Sequence, residues 1–272
     1  MIRLGCMKRD DVVTKISTAQ KQKQNAIEFV GCVYNTRNSG NLVITKYVNK
    51  SEVHVRFIKT GYTTVVAMGN IRKGNIKDRL LPSVYNVGIC GDEIVYINGK
   101  HTAEYELWAG VLQRCYSEKD KEKYSAYKDC TVSDNFKYFP YFKEWCNSQI
   151  GFSQDGWQLD KDILVKGNKV YSEKTCCFVP REINNLFIKR CANRGIYPLG
   201  VSYHKASRKF ISNISTDGLQ RSLGLFNTPE EAFLVYKQTK EGHIKQVANR
   251  WKDRIDPRAY EALIIYKVEI TD

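Results

Sequence analysis

The sequence has no long hydrophobic run. No window reaches about 18 consecutive apolar residues, the length of a membrane-spanning helix, and the first ten residues lack the apolar centre of a signal peptide. We therefore expect a soluble, cytoplasmic protein with no membrane partner. A disordered polymer is also excluded, because 42% of the 272 residues are hydrophobic and can fill at least one core.

Paired cysteines are missing as well. The nine cysteines are an odd number at irregular spacing, and no two of them form a CxxC pair. Zinc sites usually need such pairs, and disulfide scaffolds suit short secreted chains, so no zinc and no disulfide framework are expected. Most of these cysteines are predicted to be reduced thiols that pack as small hydrophobic side chains.

Acidic side chains are too few to balance the basic ones. The chain has 43 Lys and Arg against 29 Asp and Glu, a net charge of +14, and an isoelectric point near 9.3. Residues 1–100 hold 16 basic and 7 acidic side chains, residues 101–185 hold 12 and 13, and residues 186–272 hold 15 and 9. Two basic ends around a neutral centre indicate two surfaces that bind an anion, most often nucleic acid.

The basic N-terminal end divides into an arm and a β-rich module. Residues 1–28 are polar and rich in Lys and Gln, which is typical of a basic arm or short helix. Residues 29–100 alternate short apolar runs with turn residues, which predicts four or five strands in a small curled sheet or barrel. This surface is either an accessory nucleic-acid module or an ordinary solvated surface. Its basic side chains are Arg37, Lys46, Lys50, Arg56, Lys59, Arg72, Lys73, Lys77 and Arg79.

The neutral centre combines helices with a strand, turn, strand and helix. Residues 104–115 and 136–146 place aromatic and aliphatic side chains at helical spacing, as buried helices do, although Pro140 interrupts the second pattern. Residues 157–164 predict a strand, Gly167 and Asn168 a turn, and residues 176–186 a second strand followed by a helix.

Residues 101–190 resemble the HNH endonucleases of phages and mobile introns. The resemblance rests on Asp160, on the Gly167-Asn168 pair and on the asparagines that follow Glu182, and it implies a ββα-metal fold. In that family one residue holds a divalent ion on the phosphate while a neighbouring base deprotonates the attacking water. The resemblance implies Mg²⁺ as cofactor and Asn168 as the residue that orients the loop. The candidate site residues are the metal ligands Asp160, Asn184 and Asn185 and the catalytic residues Asp160, Lys161 and Asn168.

The sequence departs from that family at its catalytic base. Lys161 stands where the family has histidine, Thr175 stands at the middle asparagine, and no histidine lies between His101 and His204. A lysine with a pKa of about 10.4 is protonated at pH 7, so Lys161 suits pairing with phosphate or carboxylate better than abstracting a proton. Either cleavage survives at position 160, or Asp160-Lys161-Asp162 is an exposed ion-pair turn in an inactive site.

The basic C-terminal end carries the most specific pattern. Residues 191–252 predict three alternating strands followed by one helix. Thr228 as N-cap, Pro229 in the first turn and Glu231 three residues after the cap predict a capping box. Residues 253–272 predict another short helix and a closing strand at Val268 and Ile270.

This C-terminal run resembles the Apetala or ethylene-response-factor DNA-binding domain. The matching residues are Gly200-Val201, then Phe210 and Ile214, then Leu223-Gly224, Phe226, Thr228 and Glu230-Glu231-Ala232. The same domain follows the nuclease in phage HNH homing endonucleases. The resemblance implies that the sheet lies in the major groove of double-stranded DNA, which is wide enough to admit it.

Strand alternation separates the two faces of the predicted sheet. Lys205 and Arg208 lie at the first turn, where they suit phosphates, and Asn213 or Gln220 suits adenine, whereas no arginine reaches a groove-facing position. The side chains expected on the helix are Val201, Tyr203, Phe210, Ser212, Ile214, Leu223 and Leu225. Those expected to face the groove are Ser202, His204, Lys209, Ile211, Asn213, Ser215, Gln220 and Ser222. The DNA-binding candidates are Ser202, His204, Lys205, Arg208, Lys209, Asn213, Gln220, Arg221 and Ser222.

Together these patterns predict an α+β protein with a small barrel-like N-terminal module, an HNH-like ββα centre, and a C-terminal three-stranded antiparallel sheet packed on one helix. The expected function is double-stranded DNA binding with metal-dependent phosphodiester cleavage, in the cytoplasm of a host cell if the protein is encoded by a phage. One alternative is a DNA-binding protein or regulator without nuclease activity. Another is an RNA-binding or host-interaction protein that acts through the N-terminal module. The residues carry no signal for the oligomeric state.

Overall fold

The computed structural model describes residues 17–187, 196–216 and 218–270, which form two compact units. The first unit extends to Pro82 and the second begins at Ser83. Most of the predicted basic arm, residues 1–16, lies outside the described residues. The finer boundaries near residues 28, 100, 190 and 252 stay predictions.

The first unit is an antiparallel sheet with two helices. Its elements are α1 (Thr18–Phe29), β1 (Val33–Asn35), β2 (Asn41–Asn49), β3 (Glu52–Phe57), β4 (Thr63–Val66) and α2 (Met68–Lys73). The strands pair in the order β1-β2-β3-β4, and alternate residues such as Leu42, Val53 and Phe57 form the core. The predicted strands are therefore present as an open sheet. The pairing of β1 with β4 that would close a barrel does not occur in the described part of the chain.

The first part of the second unit consists of short strands and three helices around an aromatic core. Its first elements are β5 (Tyr96–Ile97), β6 (Lys100–His101), α3 (Ala103–Tyr116), α4 (Glu118–Lys123), β7 (Thr131–Val132) and α5 (Phe139–Ser148). Trp108 is fully buried between α3 and α5, and its indole Nε1 donates to the Phe136 carbonyl at 2.7 Å. The predicted buried stripes are thus confirmed. Pro140 does not interrupt the second helix, because it lies in the first turn of α5, where a missing N–H removes no helical hydrogen bond.

A strand, strand and helix follow in the predicted order. The elements are β8 (Trp157–Asp160), β9 (Val170–Tyr171), β10 (Cys177–Pro180) and α6 (Arg181–Asn184). β8 and β10 are antiparallel, with Asp160 opposite Cys177 and Trp157 opposite Pro180. α6 follows Pro180, which lies opposite Trp157. Asp160 therefore lies at the other end of the strand pair, away from the first residue of α6.

The C-terminal sheet packs on a long helix. The elements are β11 (Val201–His204), β12 (Lys209–Thr216), β13 (Leu219–Phe226), α7 (Pro229–Trp251) and α8 (Pro257–Ile265). The three strands are antiparallel in the order β11-β12-β13, and the predicted capping box of Thr228 and Glu231 begins α7. Gly200 allows the close approach, because its φ is +78° and a Cβ there would lie 2.1 Å from the Tyr236 ring. No helix in the described ranges is long and apolar enough to cross a membrane.

The strand, strand and helix element shares one core with the C-terminal sheet and α7. Ile163, Cys177 and Ile183 pack in the same buried cluster as Ile214 and Tyr236. At the surface, the Glu182 carboxylate pairs with Arg250 and accepts from the indole Nε1 of Trp251 at 2.6 Å. The second unit therefore holds the cleft described below and the C-terminal sheet on a common core.

The strand predicted at Val268 and Ile270 was wrong. Residues 267–270 form no strand, although the preceding helix, α8, is present. Side chains of α7 satisfy the backbone there instead: Lys237 Nζ donates to the Val268 carbonyl at 2.5 Å, and the Val268 N–H donates to Glu241 at 2.9 Å. Val268 is nevertheless buried, whereas Ile270 is 48% exposed, so the apolar pattern indicated burial at Val268 alone and not a strand.

Candidate functional site

A cleft of about 820 Å³ opens beside β8 and α6. Its lining includes the charged side chains Asp160, Lys161, Asp162 and Arg114, and the Asn184 amide lies there as well. All five residues lie in the segment 101–190 that resembles the HNH endonucleases, and four of them, all except Arg114, come from residues 157–186. The structure therefore brings Asp160, Lys161 and Asn184 to one concave surface, as a functional site requires.

The Asp160 carboxylate stabilises the turn that follows β8. Its Oδ1 accepts hydrogen bonds from the Asp162 N–H at 2.7 Å and from the Ile163 N–H at 2.8 Å. These two bonds leave the second oxygen, Oδ2, unused. Burial raises the pKa of Asp160, and the two backbone N–H donors oppose that shift.

Lys161 is buried and forms an ion pair with the half-exposed carboxylate of Asp162. The lysine side chain is 9% exposed, and Nζ donates to Asp162 Oδ2 at 2.6 Å and to the Asn168 carbonyl at 2.9 Å. Of the two partners that the sequence suggested for this lysine, phosphate and carboxylate, the structure contains the carboxylate. The alternative of an ion-pair turn is thus correct for the pairing and wrong for the exposure of Lys161.

Asn168 ties the loop to the turn after β8. Its Nδ2 donates to the Lys161 carbonyl at 2.8 Å and to the Val170 carbonyl at 2.7 Å, and its Oδ1 accepts from the Val170 N–H at 3.1 Å. Asn168 is not part of the cleft lining. These contacts suit the predicted orienting role and place Asn168 behind the residues that line the cleft.

We expect Asn168→Ala to destabilise the second unit by about 2 kcal/mol, because three hydrogen bonds that hold the loop are lost and net contributions are about 0.5–1.5 kcal/mol each. Urea unfolding of the full chain, followed by tryptophan fluorescence, measures the change. An unfolding free energy within about 0.5 kcal/mol of the wild type would show that the loop is held by other contacts.

The two candidate asparagines differ in position. Asn184 lines the cleft, and its Nδ2 donates to Gln158 Oε1 across the element, which leaves the amide oxygen unused by that bond. Asn185 begins the following short 3-10 helix and is not in the lining. Within the described residues, no group of three or more His, Cys, Asp or Glu could hold a metal ion. Asn184 is therefore the better placed of the two.

Two cleft residues were not predicted. Arg114 lies in the last turn of α3, near Tyr171; burial raises the pKa of the Tyr171 hydroxyl and the Arg114 guanidinium opposes that shift. Both line the cleft with Asp160. The spacing of α3 marks Arg114 as one of several polar positions of the helix, but only the packing of α3 beside β7, the partner strand of β9, brings its guanidinium to the cleft.

The outer face of the C-terminal sheet, the face away from α7, is polar. The cross-strand pairs are His204 with Lys209 and Ser202 with Ile211 between β11 and β12, and Asn213 with Ser222 and Ser215 with Gln220 between β12 and β13. Paired residues of antiparallel strands point to the same side. Ser202, His204, Lys209, Gln220 and Ser222 are exposed and Asn213 is half-buried. The predicted groove-facing positions therefore share one surface.

A β-bulge changes the assignment of Leu225 on β13, and strand pairing places Arg221 on the helix side. Ser212 pairs with Gly224 and the next residue, Asn213, pairs with Ser222, so Leu223 is the extra residue. Beyond the bulge the alternation shifts, and Leu225 lies opposite Ile211 on the outer face, 45% exposed. Its predicted position against the helix was wrong. Arg221 pairs with the buried Ile214 on the helix side, although its side chain is exposed.

The turn between β11 and β12 is basic. Lys205 and Arg208 are both exposed, and the Arg208 N–H donates to the Lys205 carbonyl at 3.4 Å. Arg208 has a φ of +53°, an unusual conformation for a residue with a side chain. His204 Nδ1 hydrogen-bonds Ser207 Oγ at 2.8 Å across the same turn. Lys205, Arg208 and Lys209 thus border the outer face at one end.

The first unit carries a separate basic surface. All nine basic side chains named in the sequence analysis are exposed on its strands, turns and α2. Arg56 lies on the solvent side of the sheet, between Val43 and Thr63. Exposure is expected both of an accessory nucleic-acid module and of a solvated surface, so both alternatives stand.

Comparison of the chain with protein-family models, with curated proteins and with solved structures gave no match. The resemblances to HNH endonucleases and to the Apetala-type domain therefore rest on the motif residues alone.

Proposed function

We propose that this protein binds double-stranded DNA through the outer face of its C-terminal sheet and cleaves a phosphodiester bond at the cleft beside Asp160, with Mg²⁺ as cofactor. One observation carries the proposal: polar side chains from all three strands share a face that is bordered by a basic turn. The cleft and this sheet belong to one unit with a common core.

The basic turn supplies the affinity that does not depend on sequence. Lys205, Arg208 and Lys209 are close in the chain and exposed at one edge of the sheet. Lysine and arginine that neutralise phosphates release condensed counterions, which drives binding and makes it dependent on salt. Contacts of this kind fix the register of a protein on the duplex.

The polar side chains of the face supply the means to read bases. Asn213 and Gln220 can donate to and accept from adenine at the same time, and Ser202 and Ser222 can bond to several base edges. A β-sheet face fits the width of the major groove. Because no arginine lies on this face, the bidentate contact with guanine that dominates many interfaces is not expected here.

The cleft residues fit a magnesium ion. Mg²⁺ prefers oxygen ligands, keeps several waters, and commonly uses only one or two protein carboxylates. Asp160 Oδ2 and the Asn184 amide oxygen are such ligands, and neither is used by the hydrogen bonds described above. When bound, the ion would stabilise negative charge that develops on the phosphate. A site of this kind needs no cluster of three acidic or histidine residues.

The protein's own side chains would position this chemistry. The bonds from the Asp162 and Ile163 N–H groups hold Asp160 at the end of β8, and Asn168 holds the loop behind it. Arg114 contributes a cation at the same cleft, where it can attract a phosphate. Lys161 completes the turn by pairing with Asp162.

A second candidate is a DNA-binding protein that does not cleave. The observation that favours it is the Lys161 ammonium, which donates to Asp162 and to the Asn168 carbonyl. A protonated side chain with both partners in place cannot accept a proton from water. In that case the cleft element serves as a platform for the C-terminal sheet.

Nicking by the wild type separates the two candidates, and Lys161→His tests whether the cleft lacks only a base. We expect the histidine variant to nick supercoiled plasmid in Mg²⁺ at pH 7.5 about 100-fold faster than the wild type, because general-base catalysis contributes about 10²–10⁴-fold and imidazole is largely neutral at that pH. The control is Lys161→Gln, which also removes the ion pair but adds no base. Absence of nicking by wild type and histidine variant alike would favour the candidate without cleavage.

A further inference from the structure

The bulge in β13 creates an apolar pair on the outer face of the sheet. Leu225 lies directly opposite Ile211, and Ile211 lies opposite Ser202, so the three residues form one row across the strands. Leu225 is 45% exposed and Ile211 is half-buried. Neighbouring side chains in such a row are about 4.5–5.5 Å apart at Cβ, which makes the pair one continuous apolar surface.

The position of Leu225 and Ile211 on the sheet is a stronger indication of function than their exposed fractions. Single exposed leucines are common on protein surfaces and need no explanation. Here the pair lies between polar rows, with His204 and Lys209 on one side and Asn213 and Ser222 on the other. Without the bulge, the alternation would bury Leu225 against α7, where the sequence pattern placed it.

The major groove has one apolar feature. Among the base edges that face it, only the C5-methyl group of thymine is hydrophobic, and apolar side chains contact it. A sheet that enters the groove with Leu225 and Ile211 at its centre therefore meets thymine methyls most favourably. Asn213, in the next row, can pair with adenine on either strand.

We propose that Leu225 and Ile211 select DNA by contact with thymine methyl groups. This inference rests on the proposed function, since it requires the outer face to lie in the groove. It adds a specificity that neither the composition nor the polar candidates imply: the preferred duplex contains thymine opposite the centre of the sheet.

Uracil substitution tests the inference, because uracil is thymine without the methyl group. A pool of random-sequence duplexes is made once with thymidine and once with deoxyuridine, and the full-length protein is titrated with each in the same salt. We expect the wild type to bind the thymine pool more tightly by about fourfold for each methyl contacted, the value of one buried CH₂ group. Leu225→Ser should lower the ratio of the two affinities by about fourfold, the share of its own methyl contact, and the double variant Leu225→Ser, Ile211→Ser should bring the ratio close to one.

Two further variants control for folding and for the altered DNA. Leu225→Met keeps an apolar side chain and should keep the preference. Leu219→Ser removes another exposed leucine of β13, one that is paired with Thr216 on the opposite side of the sheet, and should leave the ratio unchanged. A ratio that persists in Leu225→Ser would overturn the inference, because the preference would then come from the DNA itself.

The outcomes also separate this inference from the proposed function. Equal, salt-dependent binding of both pools by the wild type would refute the thymine contact and leave DNA binding intact. It would assign the apolar pair to another occupant, such as a protein partner. Absence of binding to either pool would refute the proposed function and the inference together.

Discussion

Replacing Asp160 with asparagine is expected to lower the rate of the proposed Mg²⁺-dependent nicking of supercoiled DNA by about 1000-fold, because the proposed metal ligand loses its charge and about 4 kcal/mol of charge stabilisation with it. Asparagine keeps the oxygen that accepts from the Asp162 and Ile163 N–H groups, so the turn after β8 is preserved. If the nicking rate of the wild type is too slow to measure, Asp160→Asn is introduced into the Lys161→His protein and the two nicking rates are compared there.

Asp155→Asn is the matched control for this loss. Asp155 is an exposed carboxylate that also lines the cleft, but it lies before β8. Its replacement removes the same charge and should change the nicking rate by less than about threefold, as expected for a screened surface charge. Nicking that survives Asp160→Asn at the wild-type rate would remove Asp160 from the site.

Neutralising the basic turn should weaken DNA binding and its dependence on salt. For Lys205→Ala, Arg208→Ala and Lys209→Ala combined, we expect the slope of log affinity against log salt to become shallower by about 3, since each phosphate contact contributes about −0.9. Fluorescence anisotropy of a labelled duplex at several salt concentrations measures the slope.

The control for the basic turn removes the same charge elsewhere in the second unit. Lys119, Lys123 and Lys128 are exposed lysines on or near α4, away from the sheet in the chain. Their replacement by alanine should leave the slope within about one of the wild type, because distant charges act only through a screened field. Equal effects of the two triple variants would show that the protein binds DNA by net charge and not by the outer face.

The elements that could be predicted from the sequence are those fixed by local signals. The capping box of Thr228 and Glu231, the alternation on β12 and the buried stripe on α3 each depend on residues a few positions apart. Local hydrogen bonds and periodic burial determine such elements, so one sequence carries the signal.

The positions that could not be predicted depend on contacts between distant segments. A single extra residue on β13 placed Leu225 on the outer face. The bulge is seen only in the pairing of β13 with β12, and an alternating sequence pattern does not reveal that pairing. Arg114 reaches the cleft because α3 packs beside β7, the partner strand of β9. Val268 is hydrogen-bonded to side chains of α7 instead of to another strand. In each case tertiary packing overrode the local pattern.

The common core of the second unit gives the proposed function a structural basis. Ile183 of α6 and Tyr236 of α7 pack in one cluster, and Glu182 joins the two helices at the surface. A rigid connection of this kind holds the cleft at a fixed position relative to a duplex bound on the outer face. Cleavage at a constant distance from the bound sequence is the expected consequence.

Photocrosslinking from the two sides of the sheet tests the central claim most directly. A photoreactive amino acid is placed at Ser222, on the outer face, or at Leu234, an exposed position of α7 behind the sheet. The account predicts that a labelled duplex crosslinks to the protein from Ser222 and not from Leu234. Crosslinking from Leu234 alone, with none from Ser222, would contradict binding through the outer face.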